Sequence, residues 1–148
     1  MSKLVCESLL EFQRGNPSEA LSLGKKKEVD AWLKTYVPFS RAKINSEWTI
    51  DTKEIIIPQQ RSLYNGIPEY IQFNICDGDF LLRDNQLKSM VGCPRIVKGD
   101  FMVDGNKLVD LDGCPEEVSG DFYIKKNDKK FTVDEIKKIC NVGGRVVV

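Results

Sequence analysis

Two stretches of the sequence decide the fold. Gly92-Cys93-Pro94-Arg95-Ile96-Val97-Lys98-Gly99-Asp100-Phe101-Met102-Val103-Asp104-Gly105-Asn106-Lys107-Leu108 is followed by Gly113-Cys114-Pro115-Glu116-Glu117-Val118-Ser119-Gly120-Asp121-Phe122-Tyr123-Ile124-Lys125-Lys126-Asn127. Glycine, cysteine, proline, valine, the Gly-Asp-Phe triplet and asparagine all return after 21 residues, and Gly78-Asp79-Phe80 with Asn85 extends the register one step upstream. Self-similarity at this period marks a stacked array in which each unit buries its apolar edge only against its neighbours.

One unit runs Phe101-Met102-Val103-Asp104-Gly105-Asn106-Lys107-Leu108, then Leu111, Cys114-Pro115 and Val118. The order is that of a leucine-rich repeat, L-x-L-x-x-N-x-L, with Phe and Val in the first two apolar slots. Alternation at Phe101 and Val103 makes a short strand with one face inward. The asparagine turns its amide into the coil to pair with backbone groups exposed by the bend. Leu108 and Leu111 fill the centre, and Pro115 fixes the return segment without needing a donor.

Away from this region the pattern decays. Ile55-Ile56-Ile57, Leu63 and Pro68 read as a degenerate first unit, with about five residues inserted around Tyr70-Ile71-Gln72-Phe73, judged by the spacing of Pro68 from Gly78. The last unit has Lys129 where Leu is expected. Phe131 then leads into Thr132-Val133-Asp134-Glu135, a capping box opening a helix to about Cys140. Asn141 to Gly144 ends that helix, and Arg145-Val146-Val147-Val148 reads as a final strand.

The first residues differ. Leu4 to Phe12 reads as one helix. Asn16-Pro17-Ser18-Glu19 starts a second, with Ala20, Leu21, Val29, Trp32, Leu33 and Tyr36 at helical spacing, stopping before Pro38. Ile44 to Asp51, around Trp48, reads as a strand joining it to the array. The expectation is therefore an α/β chain: a short leucine-rich-repeat-type solenoid over 53–148, capped by helices over 1–52 and by a helix and strand at the C-terminal end, behaving as one cooperative unit.

Composition restricts function. The sequence has 148 residues, 41% apolar and 30% charged, enough for a core without disulfide or metal support. Lys plus Arg (22) equals Asp plus Glu (22), so no net field attracts nucleic acid or an anionic membrane. No apolar run reaches the roughly 20 residues that span a bilayer. The start of the sequence lacks the apolar stretch of a signal peptide. Five cysteines (Cys6, Cys76, Cys93, Cys114, Cys140), none in C-x-x-C, fit a reduced intracellular protein. No histidine is present, which removes Ser-His-Asp and Cys-His chemistry and most zinc enzymes. No cofactor, metal or catalytic motif stands out.

The remaining constellations each have two readings. The Asp79, Asp100, Asp121 column could hold calcium, or each carboxylate could accept backbone N–H bonds at its turn; the G-G-x-G-x-D pattern of calcium-binding repeats is absent. Cys93 and Cys114 fall at equivalent positions as neighbours, most simply as small apolar fillers. Lys25-Lys26-Lys27 and Lys125-Lys126 with Lys129-Lys130 read as solvated surface rather than a phosphate or RNA contact, since no aromatic residues are interleaved with them. The candidate binding residues lie between the inward positions of each strand: Leu81 and Arg83, Met102 and Asp104, Tyr123 and Lys125. They form an apolar stripe with a charged rim, either a contact patch or a surface covered by the N-terminal helix.

The successive G-C-P-x-x-V-x-G-D-F units, with the opening Glu7-Ser8-Leu9-Leu10-Glu11-Phe12-Gln13-Arg14-Gly15-Asn16-Pro17, resemble a functionally uncharacterised family of small repeat proteins encoded by tailed bacteriophages and related bacterial proteins. The likeness covers most of the chain. It implies a bacterial host cytoplasm or a virion as the setting, and a host protein (including a defence protein) or a phage protein as partner. Leu9-Leu10-Glu11 is also similar to the short sites at which some large phages trim head proteins. The reading that follows is a non-enzymatic protein-binding module, with a virion or head-associated component as the alternative.

Overall fold

The computed structural model describes residues 17–38, 41–57, 63 and 66–148. The expected helix over Leu4–Phe12, the Asn16 cap, Cys6 and the Leu9-Leu10-Glu11 pattern lie outside these residues. Among the described residues the chain is a mixed α/β solenoid of stacked coils. In order, its elements are α1 (Pro17–Tyr36), β1 (Lys43–Ile44), β2 (Ile50–Thr52), β3 (Ile55–Ile56), β4 (Phe73–Cys76), β5 (Phe80–Leu81), β6 (Ile96–Val97), β7 (Phe101–Met102), β8 (Glu117–Val118), β9 (Phe122–Tyr123), α2 (Val133–Ile139), β10 (Asn141–Val142) and β11 (Val146–Val147).

Each repeat contributes two strands, one on either side of its Gly-Asp corner. The strands before the corner form a six-stranded sheet in the order β1-β2-β4-β6-β8-β10, and those after it a five-stranded sheet in the order β11-β9-β7-β5-β3. Pairing is parallel throughout except for β1 with β2. The first sheet was read from the sequence as a return segment held by proline. Its strands in the repeats escape notice because β6 and β8 are two residues each and point only one residue, Val97 or Val118, into the core.

Stacking in register is what buries these short strands. Phe80, Phe101 and Phe122 lie one above another, with ring centroids 6.0 and 5.0 Å apart. Phe73 joins the column edge-on to Phe80 at 5.2 Å. Leu82, Val103 and Ile124 form a second buried column beside it. Parallel coils also exchange backbone hydrogen bonds along the stack. The amides of Ile55, Phe80, Phe101 and Phe122 donate to the carbonyls of Asp79, Asp100, Asp121 and Arg145. Nearly every backbone group a short strand would orphan thus meets its counterpart one coil away.

Two ladders of side chains tie the bends. Asn106 Oδ1 accepts from the amides of Asn85 (2.9 Å) and Leu87 (3.0 Å), while its Nδ2 donates to the carbonyls of Leu82 and Val103, both at 2.9 Å. Asn127 repeats the arrangement one coil on, accepting from Leu108 and donating to Val103 and Ile124. The second ladder explains the Gly-Asp pair. Asp79 Oδ1 accepts from the Asp100 amide at 2.7 Å, and Asp100 Oδ1 from the Asp121 amide at 2.8 Å. Each carboxylate lies in the space a Cβ would take on the glycine of the next coil, Gly99 or Gly120. Glycine and aspartate recur together because each coil's glycine makes room for the previous coil's aspartate.

The insertion in the first unit sits elsewhere than the proline spacing suggested. Ile75 pairs with Ile96 and Cys76 with Val97, so β4 keeps the 21-residue register with β6. Ile55, however, pairs with Phe80, a step of 25. The extra residues lie between β3 and Ile71, and Ile71 and Phe73 are buried core positions in the regular part of the coil. Pro68 instead accepts a turn hydrogen bond from Ile71.

At one end of the stack α1 runs from Pro17, where a missing N–H costs nothing, to Tyr36, two residues before Pro38. Val29, Trp32, Leu33 and Val37, spaced along one helical face, are buried. Trp32 stacks on Tyr36 (4.9 Å) and meets Phe73 edge-on (6.2 Å), so the aromatic column continues into the helix. The single strand expected over Ile44–Asp51 is a hairpin instead. Asn45 Oδ1 accepts from the amides of Glu47 and Thr49, which bends the chain and leaves Trp48 at φ 62°. An asparagine satisfying backbone donors two and four residues on is turn chemistry, and it overrides the strand preference of Trp48 and Ile50.

At the other end, α2 has the expected capping box: Thr132 Oγ1 accepts from the Glu135 amide, and Glu135 Oε1 from the Thr132 amide. Ile136 buries against the last coil. The segment read as the helix terminator contains β10, which extends the first sheet before β11 closes the second.

Candidate interaction face

The outward residues of the five-stranded sheet stand in one row. The register pairs Ile56 with Leu81, Leu81 with Met102, Met102 with Tyr123 and Tyr123 with Val147. At the usual strand separation of about 4.8 Å, five such residues span roughly 19 Å. Leu81, Met102 and Tyr123 are half-buried by their neighbours in the row, and Ile56 is 51% exposed. The sequence pattern had located the central three. Ile56 and Val147 were missed because their units sit 25 and 24 residues away from the next, outside the 21-residue step.

The charged rim is ordered as a second row. Arg83 and Lys125 are exposed on either side of Asp104. Arg83 Nε lies 3.6 Å from Asp104 Oδ2, and the Asp104 side chain is only 8% exposed against 56% for Arg83. An ion pair with one buried partner is positioned more firmly than one between two free side chains, although its net stabilisation is small. The row thus offers two cations around a sheltered carboxylate. At the foot of the stripe, the Tyr123 hydroxyl donates to Asp121 Oδ2 (3.3 Å) and accepts from Arg145 Nη2 (3.1 Å). The Arg145 amide (2.7 Å) and guanidinium hold the Asp121 carboxyl below the usual carboxylate range.

Helix α1 meets the solenoid at the end of the aromatic column, through Trp32 and Phe73. Lys25, Lys26 and Lys27 are exposed on that helix, Lys25 lying 5.9 Å from the Trp48 ring centroid. Lys129 pairs with Glu135 at 2.8 Å and covers the Phe131 ring.

The aspartate column is engaged in backbone hydrogen bonding, and among the described residues no cluster of three metal-ligating side chains occurs. Cys93 and Cys114 are neighbours as the register required. Cys93 is buried, whereas Cys114 is half-exposed on a groove of about 420 Å³ shared with Asn74, Arg95 and Glu116. Arg95 bridges the groove wall, donating to Asn74 Oδ1 (3.3 Å) and to Glu116 Oε1 (3.5 Å). Burial pushes the Cys76 thiol up to about 12. No described helix is long and apolar enough to cross a membrane. No family model, curated protein or solved structure matches the chain.

Proposed function

We propose that this chain is a non-enzymatic protein-binding module of leucine-rich-repeat type, capped by α1 at one end and by α2 with β10 and β11 at the other. The observation that supports this reading is the row Ile56-Leu81-Met102-Tyr123-Val147, an apolar strip on a rigid sheet with Arg83, Asp104 and Lys125 beside it. A partner would bury the strip and meet the charged rim, in the manner of a protein interface with an apolar centre and polar surround. The likeness to phage repeat proteins supplies the setting, a bacterial host cell in which the partner is a host or phage protein.

The test is affinity capture of the tagged protein from infected cells, followed by titration of the captured partner. Met102→Asp with Tyr123→Asp places two desolvated charges in the strip and is expected to weaken binding by tenfold or more. Circular dichroism would show that the double variant keeps its fold, since both residues point away from the core. Wild-type affinity in the folded double variant would end the strand-face reading. Recovery of assembled particles instead of one partner would favour a virion component.

A further inference from the structure

The apolar row is flanked on both sides, and the two flanks differ in charge. The Tyr123 hydroxyl donates to Asp121 Oδ2 at 3.3 Å, which sets the Gly-Asp corner beside the row on the same face. Asp100 and Asp79 continue that corner along the stack, half-exposed. Each spends one oxygen on the amide of the next coil and keeps its negative charge. On the far side of the row stand Arg83, Asp104 and Lys125. Four residues of extended chain separate the flanks, roughly 13 Å, with the apolar row midway.

We propose that a second copy of this chain covers the strip, related to the first by a two-fold axis running parallel to the stack. This rests on the strip being a binding face and names its occupant. Two axes could lay one such face on another. An axis across the stack, through Met102, would set Asp79 against Asp121, Asp100 against Asp100 and Arg83 against Lys125. Like charges meet at every one of these points. An axis along the stack sets Arg83 opposite Asp79 of the second copy and Lys125 opposite Asp121, each pair made twice by symmetry. Asp104 then lies opposite Asp100, but its side chain is only 8% exposed and already has Arg83 at 3.6 Å. Asp121 is shared with Arg145. The charge pattern therefore selects the axis along the stack, because like-charge juxtaposition disfavours the other.

The same axis brings Leu81, Met102 and Tyr123 each against its own counterpart, so the apolar row overlaps along its whole length. Sheets packed face to face lie about 10 Å apart, a gap that the long side chains of Arg83 and Lys125 span from the rim. A two-fold interface is satisfied by two copies and does not propagate. The face is smaller than the about 800 Å² a side of a standard interface, so the dimer forms only at raised protein concentration.

The test is sedimentation of the full-length protein from micromolar to millimolar concentration, at low and high salt. The mass is expected to rise toward that of two chains and no further, and high salt to weaken the association. Arg83→Glu and Lys125→Glu are each expected to weaken it tenfold or more, whereas Arg95→Glu, on the six-stranded sheet, leaves it unchanged. Circular dichroism checks each fold, and either charge variant suffices if the other fails to fold. A protein that stays monomeric throughout would overturn the dimer while leaving the strip open to an unlike partner. Association indifferent to both variants would place the contact on another face. Tightening by Arg83→Glu would select the axis across the stack, and masses beyond two chains an open assembly; each of these results also overturns the proposal.

Discussion

Gly120 has no space for a methyl group. A Cβ there would overlap Asp100 Oδ1 and come within 2.7 Å of the Gly99 carbonyl oxygen, so the whole coil would have to lift from its neighbour. Overpacking of this kind costs about 1–3 kcal/mol, and the lost Asp100 to Asp121 hydrogen bond adds to it. Gly120→Ala is therefore expected to destabilise the protein by about 3 kcal/mol in urea unfolding. Gly24, exposed in α1 with nothing within 4 Å of its Cβ position, should behave oppositely. Gly24→Ala is expected to stabilise by up to about 1 kcal/mol. Equal effects at the two sites would refute the account of the Gly-Asp ladder. The repetition of Gly-Asp was plain in the sequence, but its cause was not. A carboxylate accepting from its own turn and one accepting from the next coil have the same sequence signature, and only the stack distinguishes them.

Among the elements, those governed by neighbours in the chain were the most legible. Helix α2 follows from Thr132 and Glu135, which satisfy each other's amides across three residues. Thr132→Ala removes one half of that exchange and is expected to cost about 1 kcal/mol, read as a lower midpoint in thermal unfolding. An unchanged midpoint would mean that tertiary contacts of Ile136 alone hold the helix. The hairpin between β1 and β2 was missed because Asn45 acts through its side chain on Glu47 and Thr49, against the strand preference of the residues around it. The six-stranded sheet was missed for a different reason. Two-residue strands carry too little alternation to be told from a loop, and they exist only because coils above and below complete their hydrogen bonds.

At the level of the molecule, the aromatic column carries the core from Tyr36 and Trp32 of α1 through Phe73, Phe80 and Phe101 to Phe122. A core built only of nearest-neighbour contacts transmits a defect to both adjoining coils. Phe101→Ala is expected to cost about 3–5 kcal/mol and to lower one cooperative transition seen alike by tryptophan fluorescence, from Trp32 and Trp48, and by circular dichroism. Separate transitions would show that the helical end unfolds independently of the repeats. The stack itself was legible because identical residues at one step must meet identical surroundings. The outward row was legible only at Leu81, Met102 and Tyr123, where that step holds. The seat of α1 was not, since Trp32 lies outside the repeats and Phe73 stands where the later coils carry Pro94 and Pro115.

The two ends of the solenoid also explain why such an array need not grow into a fibre. Every internal corner offers a carboxylate oxygen to the amide of the next, but the final corner presents Arg145, whose guanidinium turns back to Asp121 and Tyr123. A second molecule arriving there with a glycine and an amide would find a cation already occupied, and no acceptor for its first rung. At the opposite end the antiparallel β1 blocks one sheet and α1 tops the aromatic column. Among the described residues, polymerisation is discouraged by Arg145 at one end and by β1 with α1 at the other.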